Sequence, residues 1–295
     1  MKISRRDFLK TTALTSLYFA GFGAASHANS ESKKNLVIIM LRGGMDGLCA
    51  IPVKGDKNFE KLRSKINLDR TLKLTSDFDL HPALKTFKSL WDQNLSAAVH
   101  ATNIPYTGRS HFDGQNLMES GGKIPYQEKT GWLGRGMKTA GLTGQGLALA
   151  LPMPLLIRGV PMNNNYFPVG RSLPYPATLE IIKQAYKEHD EKLLSENLEI
   201  ILTRDFNNRS RDDAWILASS AGTELSKSDG PKVAVFEVDG FDTHAAQGAT
   251  DGAHADCLSD YDNIIRSLKS SMSEEAFNNT LVLTLTEFGR TIKQN

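Results

Sequence analysis

The chain has 295 residues, with 35 Lys and Arg against 33 Asp and Glu, a net charge of +2, and 40% hydrophobic residues. A balance this close to neutral argues against a nucleic-acid or anionic-membrane partner. The length is enough for one large domain with its own core, and no run of roughly 18 apolar residues calls for a stable membrane span.

The N-terminus carries the first motif. Ser4, Arg5, Arg6, Asp7, Phe8, Leu9 and Lys10 read S-R-R-x-F-L-K, the pattern of a twin-arginine (Tat) export signal. A short apolar stretch over 11–25 follows. Ser26-His27-Ala28 then places small residues where a signal peptidase cuts. The stretch holds three Thr and two Gly, too polar and too short to span a bilayer comfortably. Residues 1–28 contain four of the basic residues and one acid, so the mature 267 residues hold 31 basic and 32 acidic groups and a charge near −1. The expected destination is the periplasm or the exterior, with the Tat translocase as a transient partner.

The apolar run 36–41 is short and continuous, which predicts a strand buried on both faces. Cys49 and Cys257 lie in neither C-x-x-C nor zinc-type spacing. Each is expected to be a free structural thiol. An amphipathic helix is predicted over 80–91, a strand over 97–100, and a helix over 110–119 with Ser110 as its cap. Gly, Pro and Asn make 131–171 read as loops, with strands near 147–151 and 155–158. Helices are predicted over 177–189 and 211–225, a strand over 232–238, a helix over 256–272 and a last buried strand over 281–286. Strands alternating with helices predict an α/β domain with a mainly parallel sheet.

Polar clusters follow the strands. Arg42-Gly43-Gly44-Met45-Asp46-Gly47 follows the first. His100, then Arg109-Ser110-His111-Phe112-Asp113, follows the second. Asp239-Gly240-Phe241-Asp242-Thr243-His244 and Glu287-Phe288-Gly289-Arg290 follow the last two. Open α/β sheets bind ligands at the carboxyl ends of their strands, so these clusters are expected to share one crevice.

Asp242 and His244, two apart in an extended segment, can reach one divalent ion; a capped turn with a surface histidine is the competing reading. Asp46 is either a metal ligand or a turn residue. Ser110 at a helix N-terminus is either a nucleophile or an ordinary N-cap. His111 and Asp113 are candidate ligands or their supports. Arg109 and Arg42 are candidate clamps for an anionic oxygen. Glu287 and Arg290 read equally as ligand-orienting groups or as a surface ion pair. His81 reads as structural, and His189 and His254 as surface histidines.

Taken in order, the Tat signal, L-R-G-G-M-D-G-L, R-S-H-F-D-G-Q with M-E-S-G, G-W-L-G-R, F-D-T-H and T-E-F-G-R-T resemble a Tat-exported bacterial family, domain of unknown function fifteen-hundred-and-one. The family is placed near the alkaline phosphatase and sulfatase superfamily. The resemblance implies a three-layer α/β/α sandwich over 29–295 and a metal site (Zn, Mn or Ca) at the strand ends. In that site Asp46, Asp242 and His244 would hold metal and Ser110 would attack; the reading of the strand-end clusters adds Glu287 as a further ligand and Arg109 and His111 as assisting groups. It implies metal-dependent hydrolysis of a small anionic phosphate or sulfate ester. The alternative is a non-catalytic exported protein that binds such a ligand, or a surface polymer, in the same crevice. Two departures stand out. The D-x-H spacing is shorter than the superfamily's D-x-x-x-H, and Cys49 lacks the C-x-P-x-R context of sulfatase maturation. Relatives also continue past E-F-G-R-T to a T-D-H-G segment, which does not occur here. The resemblance therefore implies a chain incomplete at its C-terminus.

Overall fold

The computed structural model describes residues 34–64, 66, 68–149, 153–161, 163–165, 176–189, 192–203, 214–244 and 247–293. The signal over 1–28 lies outside them. The first strand, β1, spans Asn35–Leu41, and all seven residues are buried. It is followed by α1 (Gly47–Ala50), α2 (Lys57–Leu62), a small antiparallel pair β2 (Leu72–Lys73) and β3 (Asp79–Leu80), α3 (Lys85–Asp92), α4 (His111–Ser120) and α5 (Trp132–Thr139). Then come β4 (Gly146–Leu149), a 3-10 turn at Leu155–Ile157, β5 (Asn164–Asn165), α6 (Pro176–Glu188) and α7 (Lys192–Thr203). The chain continues through α8 (Ala214–Leu225), β6 (Val233–Val238), α9 (Ala253–Ser271), α10 (Glu274–Asn278) and β7 (Thr280–Thr286).

Five strands form one parallel sheet in the order β5-β4-β6-β1-β7. Because strand side chains alternate, β1 feeds two cores. Val37, Ile39 and Leu41 pack with Leu84, Leu90, Ala218, Leu225, Leu258 and Ile264, which belong to the α3, α8 and α9 side. Leu36, Ile38 and Met40 pack with Met118, Leu133, Met137, Leu156 and Ile157 on the other. The protein is thus α/β, with a parallel sheet flanked by helices on both faces. Residues 167–213 form a separate compact unit that contains α6 and α7, where Lys183 Nζ lies 2.7 Å from Glu199 Oε1. Among the described residues no helix is long and apolar enough to cross a membrane.

Several local expectations change. Residues 97–100 form no strand or helix; Val99 is 66% exposed, and the His100 ring is stacked on Phe78 at 4.7 Å. A short segment with no ladder partner is not a strand, whatever its propensity. The G-W-L-G-R segment is helical rather than loop, because its glycines let α5 lie against the 3-10 turn. A Cβ on Gly134 would stand 2.1 Å from the Arg158 carbonyl oxygen. Residues 155–158 are that 3-10 turn and not a strand. Leu80 belongs to β3, so α3 starts later than its apolar spacing suggested.

Candidate functional site

In the register of the sheet, Leu41 is paired with both Val238 and Thr286. The three strands β6, β1 and β7 therefore end level with one another, and the segments 42–46, 239–244 and 287–290 leave the same edge side by side. The N-terminus of α4 supplies the fourth piece. Its first residue, His111, reaches the other three segments, although no strand precedes it.

The glycines after β1 make this approach sterically possible. Gly43 has φ +113°, and a Cβ there would stand 2.3 Å from the Asp242 nitrogen. Gly44, at φ +70°, lies under the Phe288 ring and close to the His111 ring. Only glycine adopts such backbone without strain.

The centre of the site is Glu287, fully buried. Its Oε1 accepts from His111 Nδ1 at 2.8 Å, from the Gly43 backbone N–H at 2.9 Å and from Gln115 Nε2 at 3.1 Å. Burial alone would raise the Glu287 pKa; the hydrogen bond from His111 and the others outweigh it, and the carboxyl sits below its usual range. With Nδ1 donated to Glu287, the His111 ring is fixed and its Nε2 points 3.3 Å from Asp242 Oδ1. Asp242 also accepts from Arg290 Nη1 at 2.9 Å on Oδ1 and faces His244 Nε2 at 3.0 Å on Oδ2. Its pKa is lowered, since Arg290 and the two imidazoles overcome the desolvation that opposes them. His244 carries φ +46°, an uncommon left-handed backbone for a histidine, and its side chain is 72% exposed. The result is a chain of alternating carboxylate and imidazole, Glu287–His111–Asp242–His244. It runs from a buried end to solvent, with Arg290 beside its middle.

The remaining predicted residues are placed elsewhere. Asp46 caps α1 and is 1% exposed. Arg63 holds it through both guanidinium nitrogens, one at 3.2 Å, and Gln247 Nε2 donates to it at 2.7 Å. Arg63 more than offsets burial and lowers the Asp46 pKa. None of these bonds links Asp46 to Asp242, His244 or Glu287. The Ser110 hydroxyl accepts from the Asp113 N–H at 3.3 Å as the cap of α4. Arg109 is exposed. Arg42 is claimed by two acids, Glu119 at 2.9 Å and Glu237. Burial, with the charges of Glu119 and Asp239, pushes the Glu237 carboxyl up even against Arg42.

These arrangements bear on the expected metal. Each carboxylate proposed as a ligand already has its charge matched: Asp46 by Arg63, Asp242 by Arg290, and Glu287 by its ring of donors. Among the described residues no three His, Cys, Asp or Glu side chains converge on a point where an ion would sit. As arranged, the donor set does not fit a divalent ion.

Sequence reasoning missed Arg63 and Gln247, which belong to no motif, and the role of Gln115, which closes the R-S-H-F-D-G-Q motif and donates to Glu287. It also misplaced His254, which is fully buried rather than at the surface, with neither ring nitrogen hydrogen-bonded among the described residues. His81, read as structural, is buried and bonded to the Ala249 carbonyl and the Ala83 N–H. Cys49 and Cys257 are both free thiols. Burial, with the charge of Asp46, pushes Cys49 up to about 12.

No curated protein and no solved structure matches this chain. Over residues 222–295, which hold β6, α9, β7 and with them Asp242, His244, Glu287 and Arg290, the chain matches the model of a family described as "Protein of unknown function (DUF1501)".

Proposed function

We propose that the strand-end crevice hydrolyses an ester, with His111 as general base, in a protein exported through the Tat route. The observation that carries this reading is the His111 ring held between buried Glu287 and half-exposed Asp242. A base whose far nitrogen is oriented by a buried carboxylate, with its near nitrogen turned to an accessible crevice, is the usual construction for deprotonating water or a hydroxyl. In this scheme Glu287 fixes the tautomer and stabilises the imidazolium that forms. The imidazolium then returns its proton to the leaving alcohol oxygen, while the Asp242 carboxylate beside Nε2 favours the charged ring. Arg290, with exposed Arg109 two residues before His111, supplies positive charge for the acidic part of the substrate. A phosphate or sulfate ester is the substrate class that the alkaline-phosphatase-like resemblance supplies. No step is assigned to a metal, since Asp46 and Asp242 are matched by arginines and Glu287 by its hydrogen-bond donors.

The test is turnover of aryl phosphate and aryl sulfate esters by the full chain, with and without chelator. The expected result is turnover that survives chelation and falls about 10²- to 10⁴-fold in His111→Gln. Equal rates in the two proteins would remove His111 from the chemistry. A strong requirement for added Zn²⁺ or Mn²⁺ would mean that an ion displaces Arg290 from Asp242. A second reading, a binding protein without turnover, is favoured by the same arginine pairing, because a charge-matched crevice can hold a ligand without activating it. It predicts saturable ester binding by calorimetry and no product.

A further inference from the structure

We propose that Phe288 is a positioning residue, a wedge that holds the His111 imidazole in its working orientation. The catalytic consequence rests on the reading of His111 as the general base. Glu287 and Phe288 are adjacent in sequence, and both act on this one imidazole. Glu287 takes the Nδ1 end, through the hydrogen bond at 2.8 Å. Phe288 lies against the ring itself, with centroids 4.7 Å apart and planes tilted by 44°. A hydrogen bond at one nitrogen leaves an imidazole able to swing about that bond; an aromatic ring packed against it removes this freedom. Nε2 is then kept toward the crevice, 3.3 Å from Asp242 Oδ1.

A wedge must itself be held, and two glycines hold this one. A Cβ on Gly44, in the turn after β1, would stand 3.0 Å from Phe288 Cδ2 and Cε2. A Cβ on Gly114, in the first turn of α4, would stand 3.1 Å from Cδ1 and Cε1. These atoms are the two opposite edges of the ring, so Phe288 fills a slot with one glycine at each wall. Gly44 also has its left-handed backbone to explain it, at φ +70°. Gly114 has no such need: it lies inside α4, with no positive φ, where glycine weakens a helix. Room for the Phe288 ring accounts for it. Gly114 is also three residues from His111, and so shares its side of the helix. The slot therefore ties the turn after β1, the end of β7 and the first turn of α4 to the orientation of one imidazole.

The test pairs aryl ester turnover with a proton–nitrogen correlation spectrum of the full chain labelled at its histidine nitrogens. The His111 signal is assigned by its loss in His111→Gln. In the wild type its Nδ1–H, donated to Glu287, is expected to exchange slowly with solvent. Phe288→Leu fills part of the slot but offers no ring. It is expected to broaden or abolish that signal and to lower kcat by about 10²-fold with KM little changed. Phe288→Tyr keeps the ring and is expected to retain both signal and rate. Gly114→Ala improves the helix and leaves every polar group in place, so it keeps the fold while its methyl crowds Phe288. It is expected to reproduce the losses of Phe288→Leu. An intact signal with undiminished kcat, in Phe288→Leu or in Gly114→Ala, overturns the proposal. A fall in kcat with the signal intact also overturns it, since Phe288 would then act on the substrate and not on His111. If the wild type turns over no ester, but the signal is lost in Phe288→Leu and kept in Phe288→Tyr, the positioning role stands and the hydrolytic reading alone falls.

Discussion

Asp46 and Asp242 follow neighbouring strands and look alike in sequence, yet their surroundings separate them. Asp46 is sealed among Arg63, Gln247 and the Cys49 N–H, while Asp242 keeps 40% of its side chain in solvent beside two imidazoles. The first is a structural anion that ties α1 to α2; the second is accessible to a ligand. Ser110 divides in the same way between two readings. Its hydroxyl accepts the Asp113 N–H, and among the described residues no hydrogen bond joins it to His111, Asp242 or Glu287. Ser110→Ala is therefore expected to lower stability by about 1 kcal/mol, as loss of a cap does, and to leave ester turnover close to wild type. Denaturant unfolding and a rate assay on one preparation separate the two effects. A rate loss as large as that of His111→Gln would return Ser110 to the role of nucleophile.

At the scale of elements, the site depends on the turn after β1. Gly43 gives its N–H to Glu287 and lies against the backbone of Asp242, so two sides of the crevice meet at one residue. Gly43→Ala would force a Cβ into the Asp242 nitrogen and a non-glycine residue into φ +113°. Strain and overpacking each cost about 1–3 kcal/mol. Gly47→Ala is the control, because nothing lies within 4 Å of its would-be Cβ. We expect a large fall in the unfolding midpoint for the first variant only; matched midpoints would show that the turn yields freely. This turn was legible beforehand as a glycine-rich segment after a buried strand, and so were β1, β6, β7 and α9, whose apolar runs have one clear period. The strand predicted at 97–100 and the loop predicted at 131–139 were not. A strand exists only if a neighbour offers its edge, and α5 exists because glycines permit close packing on a turn some twenty residues later. Both are tertiary conditions that no local pattern carries. The same reason hid Arg63 and Gln247, and the contact of Gln115 with Glu287. His111, Asp242 and Glu287 were found because they sit in dense polar clusters after apolar runs.

At the scale of the whole molecule, burial of titratable groups beneath the site sets how stability responds to acid. His254, on α9, is fully buried; its ring lies edge-on to Phe241 at 5.8 Å and to His81 at 6.3 Å. Burial drives its pKa down to about 4; the negative charge of Asp46 opposes this, while His81, Arg63 and Arg290 add to it. Burial lowers His81 and His100 as well. A histidine depressed in the folded state binds its proton more readily when unfolded. Its contribution is therefore complete above its ordinary pKa near 6.5, declines as the pH falls through the window down to about 4, and is exhausted below. A shift of that size corresponds to on the order of 3 kcal/mol for His254. Below that window the depressed carboxyl of Asp46 begins to lose its pairing with Arg63, so instability continues into stronger acid. His254→Leu removes the titration and also an imidazole that lacks partners among the described residues. It is expected to be at least as stable as the wild type near pH 7, because an apolar group of similar size needs no hydrogen bond, and to exceed it by more near pH 5, because Leu takes up no proton. Urea unfolding at both pH values reads the crossover directly. Parallel stability curves for the two proteins from neutral pH to pH 4 would place the acid sensitivity in the other histidines and acids, and would require that the His254 ring be solvated.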